Sequence, residues 1–170
     1  MGFQHVLAVF VGIVTPPLII AEDDVFELAG TGIPLGLDER GYILVTLHRP
    51  SNVDVPETFR GILGALGRIS EEQPVLFPVH PRTRKRIAEF GLEGLLDNHP
   101  GLRLIEPQGY LDFLKLMDNT SLAVTDSGGI QEETTFLEVP CLTVRKNTER
   151  PVTVSEGTNT LVGVDPDRII

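Results

Sequence analysis

From Tyr42 onward, short apolar runs alternate with amphipathic segments. Residues 42–47, 75–79, 102–105, 122–124, 141–144 and 160–164 are mostly apolar and β-prone, and each reads as a strand. Between the first two runs, Phe59, Ile62, Leu63, Leu66 and Ile69 recur at the spacing of one helix face, which predicts a helix over residues 55–69. Residues 83–90 form a basic amphipathic helix that Gly91 stops. Residues 110–117 place Leu111, Leu114 and Met117 on one side of another helix, and residues 130–137 have helical composition. Continuous apolar strands separated by helices predict stacked βαβ units and a parallel sheet covered on both faces. The fold class expected is α/β, a Rossmann-like parallel sheet flanked by helices.

The beginning of the chain breaks this pattern. Residues 1–21 contain no Asp, Glu, Lys or Arg, and residues 6–20 are almost wholly apolar, interrupted by Gly12, Thr15 and Pro16-Pro17. No basic segment precedes the apolar stretch, as a signal peptide requires, and the Pro-Pro pair would break a spanning helix near its end. One reading is a buried strand and loop of a soluble fold. The other starts from Gly2-Phe3-Gln4-His5-Val6-Leu7-Ala8-Val9-Phe10 and Thr15-Pro16-Pro17-Leu18-Ile19-Ile20-Ala21, which resemble the start of the first transmembrane segment of xanthine- and uracil-type nucleobase permeases. On that reading residues 1–21 are an apolar leader that meets a membrane only if residues 6–20 insert. Residues 22–41, rich in Gly and acidic residues, read as a linker, and residues 42–170 as the folded domain.

Composition narrows the function. The 170-residue chain is 41% hydrophobic with a mean hydropathy of +0.09, enough for a packed core. Its formal net charge of −10 argues against nucleic acid as a partner, because nonspecific binding needs a basic face. A small anionic ligand stays open, since a few local cations suffice. The single cysteine, Cys141, cannot form an intramolecular disulfide, which predicts a reducing, cytoplasmic setting. One Cys and four His argue against a structural zinc site, and no metal or cofactor is expected.

In a parallel sheet the ligand lies beyond the carboxyl ends of the strands. The residues that follow the strands are His48-Arg49, His80 to Arg82, Glu106-Pro107, Asp126 to Gly129 and Arg145 to Arg150. Ser127-Gly128-Gly129 between a strand and a helix reads as a tight turn suited to phosphate: glycine allows close backbone approach, and the helix N-terminus attracts an anion. Ser127 can also cap that helix. Glu133, one turn into the helix, can accept two hydrogen bonds from a ribose diol or serve only the electrostatics of the helix start. His48 beside Arg49 can bind a phosphate oxygen or act as an acid, or be a cap or surface pair. His80, set between Val79 and Pro81, is either a ligand contact or part of a structural turn. Arg145 can neutralise a diphosphate or contact a neighbouring loop, and Arg150 can do the same or form an ion pair. Asp126 reads as structural, and Arg82, Arg84, Lys85 and Arg86 as a solvated helix face. No Gly-x-Gly-x-x-Gly, Gly-x-x-x-x-Gly-Lys or nucleophile-elbow motif is present. Together these residues predict a nucleoside diphosphate held without a metal by Arg, His and a helix dipole.

Several ordered motifs carry a family resemblance. Tyr42-Ile43-Leu44-Val45-Thr46-Leu47-His48-Arg49-Pro50-Ser51-Asn52-Val53, Phe77-Pro78-Val79-His80-Pro81, Thr125 to Glu133, Thr148-Glu149-Arg150-Pro151, Gly157-Thr158-Asn159 and Leu161-Val162-Gly163 resemble non-hydrolysing bacterial UDP-N-acetylglucosamine 2-epimerases. The resemblance covers residues 42 to 170. It implies one half of a GT-B two-domain fold, the carboxyl-terminal UDP-binding domain. It implies conversion of UDP-N-acetylglucosamine to UDP-N-acetylmannosamine by anti elimination of UDP and readdition. By the same resemblance, Ser127, Gly128 and Gly129 meet the diphosphate, Glu133 the ribose, His80 and Arg145 lie near the nucleotide, and His48 matches the catalytic-site histidine.

The carboxylates that the family uses for proton transfer belong to an amino-terminal domain that residues 1–41 do not resemble. The expectation is a chain short of a whole enzyme at both ends, which needs that missing domain as partner and is inactive alone. A homodimer stays open. A UDP-sugar glycosyltransferase domain and a noncatalytic nucleotide-binding remnant are the alternatives, and Thr148-Glu149-Arg150-Pro151 beside the Ser-Gly-Gly motif argues against the first.

Overall fold

The computed structural model describes residues 37–170. The expected leader (residues 1–21), with its permease resemblance, and all but the last five residues of the expected linker (residues 22–41) lie outside this range. Six strands form one sheet: β1 (Ile43–Thr46), β2 (Val75–Pro78), β3 (Leu102–Ile105), β4 (Leu122–Thr125), β5 (Cys141–Thr143) and β6 (Asn159–Leu161). All neighbouring pairs are parallel, in the order β3-β2-β1-β4-β5-β6. The chain builds outward from β1 in one direction and then, starting with β4, in the other. Between β1 and β4 the connections leave to opposite sides, which opens a crevice at the carboxyl ends of those two strands.

The strands read as continuous apolar runs because both of their faces are covered. Ile43, Val45, Val75 and Phe77 point to one face and pack with Phe59, Ile62, Leu63 and Leu66 in the larger core cluster. Those four residues line the inner stripe of a long helix, Pro56–Ile69, and all are fully buried. Tyr42, Leu44 and Leu76 point to the opposite face, against Leu116 and Met117.

In chain order the helices are α1 (Pro50–Val53), α2 (Pro56–Ile69), α3 (Pro81–Glu89), α4 (Glu93–Asp97), α5 (Tyr110–Asp118), α6 (Gly128–Phe136), α7 (Pro151–Ser155) and α8 (Pro166–Ile169). The four long helices expected from periodicity are present as α2, α3, α5 and α6. Gly91 follows α3 with φ +61°, the left-handed conformation that glycine adopts freely. The four helices of five residues or fewer were not foreseen, since one turn is too short to show a period.

Two starts differ from expectation. α3 begins at Pro81, whose fixed φ suits the first helical position. α6 begins at Gly128 and not at Ile130. Gly128 and Gly129 are therefore the first helical residues, not a turn ahead of the helix. No described helix is long and apolar enough to cross a membrane.

Candidate ligand site at the strand ends

Backbone register sets the site. Thr46 of β1 lies opposite Thr125 of β4, and Thr125 opposite Thr143 of β5, so the three strands end level with one another. Their exit segments are also stitched together: Asp126 N–H donates to Thr46 O at 3.3 Å and Val144 N–H to Thr125 O at 2.8 Å.

Asp126 is the hub. Its side chain has no exposed surface, and donors surround it. The backbone N–H of His48 (3.1 Å), the backbone N–H of Arg49 (2.9 Å) and Asn52 Nδ2 (3.1 Å) all donate to its carboxylate. His48 Nδ1 lies 3.1 Å from Oδ1. Arg49 Nε donates to the main-chain oxygen of Asp126 at 2.9 Å. Asn52 also donates to Val144 O at 2.9 Å, so one buried amide bridges the exits of β1, β4 and β5. Asp126 has the structural role expected of it. Asn52 appeared only as part of a motif; an Asn two residues after His-Arg-Pro carries no local sign that it will be buried.

The N-terminus of α6 lies beside this hub. Ser127 is the N-cap residue, in extended conformation, but its hydroxyl makes no cap bond; its N–H donates to Thr125 Oγ1 at 3.0 Å. The capping role expected for the Ser127 side chain is therefore not adopted. The first-turn N–H groups point out of the helix end, where the dipole favours an anion. A Cβ added to Gly128 would lie 4.0 Å from Glu149 Oε2, and one added to Gly129 would lie 3.9 Å from Ser127 Oγ. The glycines keep the space over the helix end free of side chains.

The segment after β5 closes the other side. Arg145, which is buried, forms a two-pronged bond to Glu149: Nη1 to Oε2 at 2.7 Å and Nη2 to Oε1 at 2.6 Å. That bond holds the Glu149 carboxyl well below the usual range, at about 2, and raises the Arg145 guanidinium in turn. Arg49 Nη2 stands 3.9 Å from the same carboxylate. Arg145 thus pairs within its own loop, four residues on, beside the α6 N-terminus. Arg150 forms an ion pair with Glu132, Nε to Oε1 at 2.7 Å. Gln131, fully buried on α6, anchors the segment by accepting from Thr148 Oγ1 at 2.6 Å and Asn159 Nδ2 at 3.3 Å. Sequence reasoning missed Gln131 because a Gln in a polar run looks like a surface residue.

Glu133 lies one turn further along α6, partly buried. Burial first, then repulsion from Glu132, pushes its carboxyl above the usual range, while a hydrogen bond with Tyr110 pulls it back. Two hydroxyl donors on this carboxylate would restore the charge that burial disfavours.

His80 stands apart. It caps α3, its Nδ1 accepting from Arg82 N–H at 3.2 Å, and its side chain is exposed at the end of β2. The contacts described thus join His48, Arg49, Asp126, Arg145 and Glu149 to the Ser127-Gly128-Gly129 helix end, with Glu133 and Arg150 further along and His80 outside. Among the described residues no group of three His, Cys, Asp or Glu side chains could hold a metal ion.

Comparison with known proteins shows what the chain is similar to. A family model described as UDP-N-acetylglucosamine 2-epimerase matches residues 20–170, beginning ahead of Tyr42, where the motifs quoted above start. The UDP-N-acetylglucosamine 2-epimerase of Methanococcus maripaludis is 47% identical over 131 residues, which are 76% of this chain and 36% of that protein. The UDP-2,3-diacetamido-2,3-dideoxy-D-glucuronate 2-epimerase of Pseudomonas aeruginosa is 42% identical over 139 residues, 81% of this chain and 38% of that protein. The crystal structure of the Methanocaldococcus jannaschii UDP-GlcNAc 2-epimerase in complex with UDP-GlcNAc and UDP superposes with a TM-score of 0.74 at 46% identity, covering 79% of this chain and 37% of that one. The sheet and its helices are thus the Rossmann-like unit of a GT-B protein. The chain spans little more than a third of the length of the curated relatives it matches.

Proposed function

The chain belongs to the UDP-N-acetylglucosamine 2-epimerase family, and from that premise we propose that it is the UDP-binding part of such an epimerase. The observation that carries the reading is the single contact chain from His48 through Asp126 to the N-terminus of α6, at the point where the strand order reverses. The α6 N-terminus, with Ser127, Gly128 and Gly129, receives the diphosphate. Arg145 and Arg49 offset its charge, Glu133 takes the ribose hydroxyls, and His80 and Arg150 line the approach.

Two relatives named for different sugars share UDP and the 2-epimerase reaction in their names. The shared element, the nucleotide, is what we assign to this chain. The reaction is loss of UDP from the sugar by anti elimination, followed by readdition with the opposite configuration at C2. His48 stands at the phosphate end, where, once protonated at Nε2, it can protonate or hydrogen-bond the departing group. By the family resemblance the carboxylates that move the C2 proton belong to an amino-terminal domain, and UDP binding is the part assigned to residues 42–170. A cytoplasmic location goes with a nucleotide-sugar substrate and a free, buried Cys141.

Calorimetry with UDP is the test. Saturable binding supports the reading, and no heat together with no thermal shift at millimolar UDP rejects it. Formation of UDP-N-acetylmannosamine from UDP-N-acetylglucosamine by this chain would place the proton transfer in it as well. Transfer to an added acceptor sugar would replace the epimerase reading with a glycosyltransferase.

A further inference from the structure

We infer that Asp126 is a positioning residue for His48: its carboxylate holds the neutral imidazole with the proton on Nδ1, so that only Nε2 meets a ligand. The inference rests on the reading of His48 as a group that acts on the nucleotide sugar, but its geometry does not depend on which ligand binds.

Asp126 is fully buried, and all its described partners are donors: two backbone N–H groups and the Asn52 amide, at 2.9–3.1 Å. An ionised carboxylate only accepts, and three donors around two oxygens suit that form. The remaining neighbour is His48 Nδ1, 3.1 Å from Oδ1, and a proton there faces an acceptor. An unprotonated Nδ1 there would set two lone pairs against each other. With Nδ1 committed, Nε2 carries the free lone pair of the neutral ring, on a side chain that is 55% exposed. Which ring nitrogen carries the proton is set by its hydrogen-bond partner, here a carboxylate beside Nδ1.

The placement is rigid. Oδ1 receives the His48 backbone N–H as well as lying against its Nδ1, so one oxygen fixes both ends of the residue. Oδ2 receives Arg49 N–H and Asn52 Nδ2, and Asn52 is itself tied to Val144 O. The next residue, Ser127, occupies the N-cap position of α6. One buried side chain therefore sets the orientation of His48 relative to the helix end that takes the diphosphate. If the ring gains a proton at Nε2, the neighbouring carboxylate offsets the new charge without moving.

The test is the tautomer of His48 in the full chain, labelled with 15N and observed by long-range proton–nitrogen correlation at about pH 8.5, above the ordinary histidine range. The His48 signals are assigned by their loss in His48→Gln. The expected result is a protonated, pyrrole-type Nδ1 and a pyridine-type Nε2. An Nε2–H tautomer in the unaltered chain overturns the inference without any variant.

In Asp126→Asn, where one oxygen and one amide replace two acceptors, the expected shift is toward Nε2–H; an unchanged tautomer in a folded variant also overturns it. Asn52→Ala removes a neighbour of the same carboxylate without touching His48 and is expected to keep the Nδ1–H form. Loss of that form there would assign the tautomer to loop packing and remove the role given to Asp126. UDP titrated into the same sample should move the Nε2 resonance while Nδ1 stays protonated; transfer of the proton away from Nδ1 overturns the inference. A sample with the Nδ1–H tautomer and no response to UDP would instead reject the functional reading and leave the dyad standing.

Discussion

Two charged regions share the carboxyl edge of the sheet, and they differ in what surrounds the charges. At the exits of β1, β4 and β5, His48, Arg49 and Arg145 connect through buried polar groups: Asp126, Asn52 and Gln131. On α3, Arg82 and Arg86 both pair with Asp54, Arg86 and Lys85 with Glu89, and Arg84 with Glu106, mostly at exposed positions. Both regions are rich in Arg and carboxylate. Only in the first does removing one partner strand others away from water. Exposed pairs are worth about 0–1 kcal/mol, whereas a buried donor left without its acceptor costs about 1–3 kcal/mol. The site is preorganised by its buried polar residues, and α3 is a solvated face.

The largest effect expected from this contrast is at Asp126. Asp126→Ala should lower unfolding free energy by about 3–5 kcal/mol, because it strands several donors at once. Urea denaturation measures it, and a loss under 1 kcal/mol would erase the difference between the two regions. Next is Gly128→Val, which places a side chain over the α6 N-terminus where a Cβ already approaches Glu149. UDP affinity should fall at least tenfold, about 1.4 kcal/mol, with the fold retained. Calorimetry checks it, and unchanged affinity would move the diphosphate elsewhere.

A smaller effect is expected with pH. The Glu149 carboxyl sits at about 2 in the folded chain, below its ordinary value of 4.5. A depressed carboxylate stabilises the fold fully above its unfolded pKa, and that contribution disappears as pH falls through the folded value. Stability should therefore drop between about pH 5 and pH 2, less steeply in Glu149→Gln than in the unaltered chain. Parallel profiles for the two chains would show that the Arg145–Glu149 bond does not couple to folding. The smallest effect belongs to α3: Arg84→Ala should cost no more than about 0.5 kcal/mol and leave UDP binding unchanged. A tenfold loss of UDP affinity there would extend the site onto α3.

Much of the site was legible as positions along the chain. His48, Ser127-Gly128-Gly129, Glu133 and Arg145 follow strands, and strand ends are readable from apolar runs. Their partners were less legible. The Arg145–Glu149 bond spans only four residues, but two-pronged pairing depends on a loop geometry that the residues do not announce. Gly128 and Gly129 read as a turn, because glycine favours turns; in the structure they open α6, where first-turn N–H groups need no helical partner.

The alternation of strands and helices, the parallel sheet and the family are all written in local periodicity or contiguous motifs. The tertiary structure alone decided that β1 and β4 lie side by side and that Asn52 reaches Asp126 and Val144, 74 and 92 residues away. Hydrogen bonds over such separations exist only once the strands are in register, and a polar residue shows its burial only when its partners have arrived.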